Sequence, residues 1–262
     1  MKNVLIFDSG VGGLSVYQEI AKLLPEQPVI YAFDNAAFPY GELDDDVLVS
    51  RVCGMVSALC QQHDIALVVI ACNTASTLAL PHLRKLLTIP VVGVVPAIKP
   101  AAAISQSKVI GLLATPATVK RRYTQQLVEE FAPDCQVVMV GSTDLVQMGE
   151  DKLRGEDVDP KRLGVILSPM IDKVDCIVLG CTHFPLLKSE IETLVGGSCR
   201  VIDSGEAIAN RVYMLLKEGG NVASRRDSLH RVYSSAPVNR EHELNNELSK
   251  LGFGEIKRAP TF

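Results

Sequence analysis

Residues 67–76 read Leu-Val-Val-Ile-Ala-Cys-Asn-Thr-Ala-Ser. Five apolar residues in a row, three of them β-branched, suit a short strand buried on both faces better than a helix. The run ends at Cys72, so a thiol sits at the strand's C-terminal tip, and a helix is expected from about residue 74. Residues 176–183, Cys-Ile-Val-Leu-Gly-Cys-Thr-His, repeat the arrangement with Cys181 at the tip. The chain twice ends a buried strand on a cysteine followed by polar residues.

Outward from residue 67, short apolar runs alternate with helical spacing, the pattern of α/β proteins with mainly parallel sheets. Strands are expected at 4–7, 29–33, 67–71 and 90–95, making a four-stranded parallel sheet. Helices are expected at 14–24, stopped by Pro25, at 45–62 and at 74–87, where Pro81 should kink or restart the helix. A second series follows: strands at 109–113, 136–140, 176–179 and 201–203, with helices at 116–131 and 161–172. A helix from Gly205 to Lys217 stops at Gly219-Gly220. Beyond it come a polar loop at 220–228, a strand at 229–235 and a helix at 240–251. The expected architecture is two α/β domains, one of residues 1–95 joined by 207–262, the other of 96–206.

Composition excludes several classes. Lys and Arg number 26 against 30 Asp and Glu, a formal charge of −4 with no long basic cluster, which argues against a nucleic-acid partner. No apolar run approaches the roughly 20 residues needed to cross a bilayer. The N-terminal MKNVLIFDSGVGG lacks the features of a secretory signal, so a cytoplasmic location is expected. Seven cysteines are an odd set without a Cys-x-x-Cys pair, so neither a disulfide framework nor a zinc site is indicated. The acidic run Asp44-Asp45-Asp46 reads as an exposed helix start rather than a metal site.

In open α/β sheets, ligands bind beyond the carboxyl ends of strands, where helix N-termini supply unpaired N–H groups. The tips here hold Asp8-Ser9, Asp34-Asn35 with Pro39-Tyr40-Gly41 beyond, Cys72-Asn73-Thr74, Thr115 with Thr118, and Cys181-Thr182-His183. The glycines of Asp8-Ser9-Gly10-Val11-Gly12-Gly13 suggest a dinucleotide turn, but G-x-G-x-x-G from Gly10 needs glycine or alanine at 15, where Ser15 stands. Asp8 would also set a carboxylate near the pyrophosphate. Asp34 is open to a simple capping role. Cys181 with His183 could form a nucleophile–base pair. Two matched cysteines point elsewhere. Inverting a carbon stereocentre needs a base on one face and an acid on the other, and a thiolate with a thiol can supply both in either direction.

Four ordered motifs, DSGVGGLSV at 8–16, PYGE at 39–42, ACNTAS at 71–76 and GCTHFP at 180–185, together resemble the cofactor-independent aspartate/glutamate racemase family nearly end to end. The resemblance implies two similar, pseudo-twofold related α/β domains with the active site in the cleft between them. It implies interconversion of L- and D-glutamate, supplying D-glutamate for peptidoglycan, with no cofactor or metal. A homodimer is implied as well. Carried onto matching positions, Cys72 looks like the base for D-glutamate, assisted by Asp8, and Cys181 the base for L-glutamate, assisted by His183. Asp8, Ser9, Tyr40, Gly41, Asn73, Thr74, Thr182 and His183 look like the substrate-contacting set, with Thr115 and Thr118 as additions. One departure stands out. Relatives carry a glutamate after a Leu-Val pair, whereas Leu145-Val146 is followed here by Gln147, with Asp144 or Glu150 as substitutes. A racemase for a related amino acid such as aspartate, or a non-catalytic amino-acid-binding protein, is the competing reading.

Overall fold

The structure is a computed structural model that describes residues 2–225 and 229–262. Part of the expected loop at 220–228 therefore lies outside the described residues. The chain divides into two compact units, Met1–Val94 with Gly205–Phe262, and Val95–Ser204.

The first unit opens with β1 (Asn3–Asp8), α1 (Leu14–Leu23), β2 (Val29–Phe33), α2 (Asp45–Gln62), β3 (Ile65–Ile70), α3 (Asn73–Leu86) and β4 (Val91–Gly93). The second holds α4 (Ile98–Ile104), β5 (Val109–Ala114), α5 (Pro116–Lys120), α6 (Arg122–Phe131), β6 (Gln136–Gly141), α7 (Asp144–Leu153), α8 (Pro160–Leu167), β7 (Cys176–Leu179), α9 (Lys188–Val195) and β8 (Arg200–Ile202). The chain then returns to the first unit as α10 (Gly205–Glu218), β9 (His230–Ser234), α11 (Glu241–Lys250) and β10 (Phe253–Arg258).

Both sheets are parallel throughout. The first has six strands in the order β10-β9-β2-β1-β3-β4, the second four in the order β6-β5-β7-β8. The two share one plan. In each, the unit's second strand flanks its first, and the third lies on the first strand's other side. The third strand of each unit, β3 or β7, is the one that leads to a cysteine. Every residue of both strands is buried, which is why their sequences carry no polar alternation.

In the first unit Leu5, Phe7, Ile30, Val68 and Ile70 form one core with Leu48, Val52, Met55, Val56 and Leu59 of α2 and Ala75, Ala79 and Leu83 of α3. Helix α1 packs against α10. In the second, Ile110, Leu112, Cys176 and Val178 pack with Ile98 and Ala101 of α4 and Leu127 of α6. These layers hold the strand tips rigid, and fully burying each large aliphatic chain stabilises by about 1.5–3 kcal/mol.

Several elements differ from the sequence expectation. The first sheet has six strands because β9 and β10 extend it past β2. Helix α3 runs through Pro81 without restarting; Pro81 is exposed, so water can replace the lost donor. The expected helix 116–131 is two helices. Arg121 between them is extended (φ −71°, ψ 138°), and the Thr118 carbonyl instead accepts from the Thr124 hydroxyl at 2.6 Å. The helix expected at 161–172 ends at Leu167, and Asp172 lies in the left-handed region at φ 59°. The strand at 90–95 is reduced to Val91–Gly93. Helices α4, α7 and α9 were not anticipated.

Candidate active site

Each unit brings one cysteine together with its own set of proton-handling groups. In the first, β1 ends at Asp8 beside β3, because the Ala71 N–H donates to the Phe7 carbonyl at 2.7 Å. The chain then turns sharply. Asp8 is fully buried, and its Oδ1 accepts the Ser9 N–H at 2.7 Å while Oδ2 accepts the Gly13 N–H at 2.5 Å. A Cβ at Gly13 would lie 3.0 Å from atoms of Ala71, Asp8 and Tyr31, so the close turn depends on that glycine. Two of the turn's N–H groups are thus committed to Asp8, and its buried carboxylate stands where a pyrophosphate would have to approach, which argues against the dinucleotide reading. Ser9 Oγ stands 3.4 Å from Asp8 Oδ1 and 3.7 Å from Cys72 Sγ, a relay from carboxylate to thiol.

Cys72 is buried and occupies the N-cap position of α3 in extended conformation, with no capping hydrogen bond from its side chain. The first N–H groups of a helix lack intrahelical acceptors and carry the positive end of its dipole. Asn73 and Thr74, both buried, form this first turn, and Asn73 Oδ1 is buried without a hydrogen-bond partner. Helix start and thiol together suit an anionic ligand.

Tyr40 and Gly41 begin a 3₁₀ turn, Tyr40–Glu42, after a cis Phe38–Pro39 peptide. The Tyr40 hydroxyl donates to Asp34 Oδ2 at 2.7 Å, and the Tyr40 carbonyl accepts the Leu43 N–H at 3.4 Å. Burial and the adjacent Asp34 carboxylate push the Tyr40 hydroxyl's pKa far up, so it stays a donor. Asp34 does not cap the following turn with its side chain. It anchors this wall instead, accepting from Arg51 at 2.6 and 2.7 Å and from Ser235 at 2.5 Å. Burial disfavours its charge, but the hydrogen bonds from Arg51, Ser235 and Tyr40 outweigh that and hold its pKa below the usual carboxylate range.

In the second unit Gly180 donates its N–H to the Leu113 carbonyl at 2.7 Å, seating Cys181 beyond the tip of β7. Cys181, Thr182 and His183 are all buried. His183 Nδ1 lies 3.8 Å from Cys181 Sγ, and His183 Nε2 lies 2.8 Å from Glu150 Oε1. Glu150, on α7, is therefore the carboxylate behind this cysteine. Gln147 is exposed and bonds Asp151 at 2.8 Å, and the half-exposed Asp144 pairs with Arg162. Burial pushes the His183 pKa down, but the hydrogen bonds and negative charges of Cys181 and Glu150 prevail and raise it well above the ordinary value. Thr115 and Thr118, at the tip of β5, bond each other through their hydroxyls at 2.9 Å. Of the two substitutes the sequence offered for this carboxylate, Glu150 is the one that reaches His183, whereas Gly149 and Arg154 escaped the sequence reading. The available signal was the helical face. Glu150 lies four residues after buried Val146 and so shares its side of α7, whereas Gln147 does not.

Burial pushes the Cys176 thiol up to about 12 and the Cys60 and Cys199 thiols up to about 11, as expected of inert core residues.

Comparison with known proteins gives this geometry its family. A model of Asp/Glu/Hydantoin racemases matches residues 5–212. The glutamate racemase of Vibrio campbellii is 55% identical over 256 residues, covering 98% of this chain and 95% of that protein. That of Aliivibrio fischeri is 57% identical over 256 residues, covering 98% and 97%. The crystal structure of Escherichia coli glutamate racemase, in complex with L-glutamate and the activator UDP-MurNAc-ala, superposes with a TM-score of 0.94 at 44% identity over all of both chains. The chain belongs to the Asp/Glu/Hydantoin racemase family. It is an isomerase, and its reaction is the racemisation of glutamate. Among the described residues no helix is long and apolar enough to cross a membrane.

Proposed function

We propose that Cys72 and Cys181 serve opposite faces of one glutamate, in a two-base reaction that needs no cofactor. In the L-to-D direction the Cys181 thiolate takes the α-proton and becomes a thiol, and the Cys72 thiol gives its proton to the other face and becomes a thiolate. The reverse direction exchanges the roles. The observation that carries this reading is the matched placement of the two thiols, each beyond the third strand of its parallel sheet and each with a separate proton relay.

The relays differ in chemistry and suit the two roles. Asp8 acts on Cys72 through the Ser9 hydroxyl. His183 acts on Cys181 directly, and its raised pKa favours an imidazolium that stabilises the thiolate. Substrate binding follows from the same groups. The first turn of α3 meets a carboxylate, the orphaned Asn73 Oδ1 accepts from the α-ammonium, and Ser9, Thr74, Thr182 and the backbone of Tyr40 and Gly41 complete the set. Thr115 and Thr118 are further candidates for carboxylate recognition. The product D-glutamate supplies peptidoglycan synthesis in the cytoplasm, and the enzyme works as a homodimer.

The test is deuterium incorporation at the α-carbon in heavy water. Cys72→Ser should still release the α-proton of L-glutamate, Cys181→Ser that of D-glutamate, and neither should racemise. Racemisation by either variant near the wild-type rate would remove the two-base reading.

A further inference from the structure

We propose that Arg154 is a positioning residue that keeps the proton of the His183–Glu150 hydrogen bond on the ring, so that Nδ1 remains available to Cys181. The proposal rests on the two-base reading above for the role of Cys181, and on the geometry of α7 for everything else. Glu150 stands in the last turn of α7, where the helix dipole disfavours a negative charge, and its side chain is only 8% exposed. A carboxyl in that position stays ionised only if cations hold it. Arg154 does so. It follows the last residue of α7, its side chain is 9% exposed, and its Nη1 donates to Glu150 Oε2 at 2.6 Å and to the Glu150 carbonyl at 2.7 Å. The second bond also meets a carbonyl freed at the helix end, which fixes where the guanidinium sits.

The other carboxylate oxygen faces His183. Oε1, held as an anion, can only accept, so the His183 nitrogen facing it at 2.8 Å carries the proton. With Nε2 protonated, Nδ1 can take the proton of the Cys181 thiol and return it. The two charge states differ only at Nδ1. If Glu150 were instead the neutral acid, it would donate to Nε2, the ring would keep its proton on Nδ1, and it could no longer accept one from Cys181. The lysine of α7 does not compete for Glu150, because Lys152 bonds Glu190 and the Leu186 carbonyl, and the helix's other carboxylates bond elsewhere, Asp144 with Arg162 and Asp151 with Gln147. Cys181 thus faces the ring on one side and Glu150, backed by Arg154, on the other.

Nitrogen NMR of histidine-labelled full-length protein reads the ring directly, without recourse to activity. In the wild type, Nε2 of His183 should show the shift of a protonated nitrogen near neutral pH. In Arg154→Gln it should move to that of an unprotonated acceptor, and Arg154→Lys, which restores a cation, should reverse the change in part. The acid limb of kcat/KM should move up by about 1 to 3 pH units in Arg154→Gln, and adding Arg154→Gln to Glu150→Gln should cost less than about threefold beyond Glu150→Gln alone. The Glu150→Gln background also serves if Arg154→Gln alone fails to fold, since it removes the uncompensated charge. A protonated Nε2 in Arg154→Gln, or full additivity of the two substitutions, would overturn the proposal. A failed deuterium test with intact ring shifts would instead strike at the two-base reading.

Discussion

The surroundings of Cys72 and of Cys181 differ far more than the strands that carry them. Both thiols follow the third strand of a parallel sheet with the same internal order. Around Cys72 the carboxylate is Asp8, held by backbone N–H groups of its own turn and linked through a serine hydroxyl. Around Cys181 the relay runs through an imidazole to Glu150 and Arg154, both on α7. The backbone plan fixes where a thiol stands, while the identity of its proton helper depends on whichever loop or helix happens to pack beside it. On the two-base reading proposed above, two faces of one reaction would be served by equivalent positions and unlike chemistry.

The most severe way to break the pairing is to remove a thiol. Cys72→Ser and Cys181→Ser should each lower racemisation by about 10⁴-fold or more, the upper range for a positioned acid–base group. Circular dichroism of the glutamate solution follows this directly. Removing a helper should cost less and should be lopsided. Asp8→Asn and His183→Asn are each expected to cost about 100-fold, Asp8→Asn slowing α-proton exchange more from D-glutamate and His183→Asn more from L-glutamate. Equal slowing from both enantiomers in both variants would show that the helpers are not divided between the thiols.

A smaller effect tests how α7 reaches its partner. A Cβ at Gly149 would lie 3.1 Å from the His183 carbonyl oxygen and 3.2 Å from His183 Cβ. Gly149→Ala should push the helix away from the ring and reduce kcat by about tenfold, with KM little changed, since small misplacements of catalytic groups are costly.

The smallest effects are in stability against pH, and they have opposite signs in the two units. The His183 pKa is raised on folding, so its contribution is full below about 6.5 and fades as pH rises through the raised value. The Asp34 pKa is lowered, so its contribution is full above about 3.9 and fades as pH falls through the lowered value. His183→Gln should flatten the alkaline decline in Tm and Asp34→Asn the acid one, each by about 2–4 °C per kcal/mol lost. Calorimetric scans across pH would separate them.

The sequence disclosed the parallel α/β plan because fully buried strands such as Leu67–Ile70 leave unbroken apolar runs. It concealed β10, whose Gly254, Glu255, Lys257 and Arg258 belong to an edge strand paired on one side only with β9. Charged residues are a common defence of such an edge, and they hide it from a hydrophobic pattern. Cys72, Cys181, Asp8 and His183 could be singled out as candidates because they sit at or just beyond strand tips. Glu150 was named only as a substitute, since its relation to His183 spans 33 residues and depends on how α7 packs. Asp34 was equally ambiguous, because Arg51 and Ser235 reach it from a helix and from a strand tip far along the chain.

The division of labour between the thiols is tested most directly by initial-rate racemisation in heavy water with the wild-type enzyme. Two separate bases predict that product formed from either enantiomer carries deuterium at the α-carbon while the unreacted substrate remains protiated. Protium returned to the product, or deuterium appearing in the remaining substrate as fast as in the product, would mean that one group handles both faces.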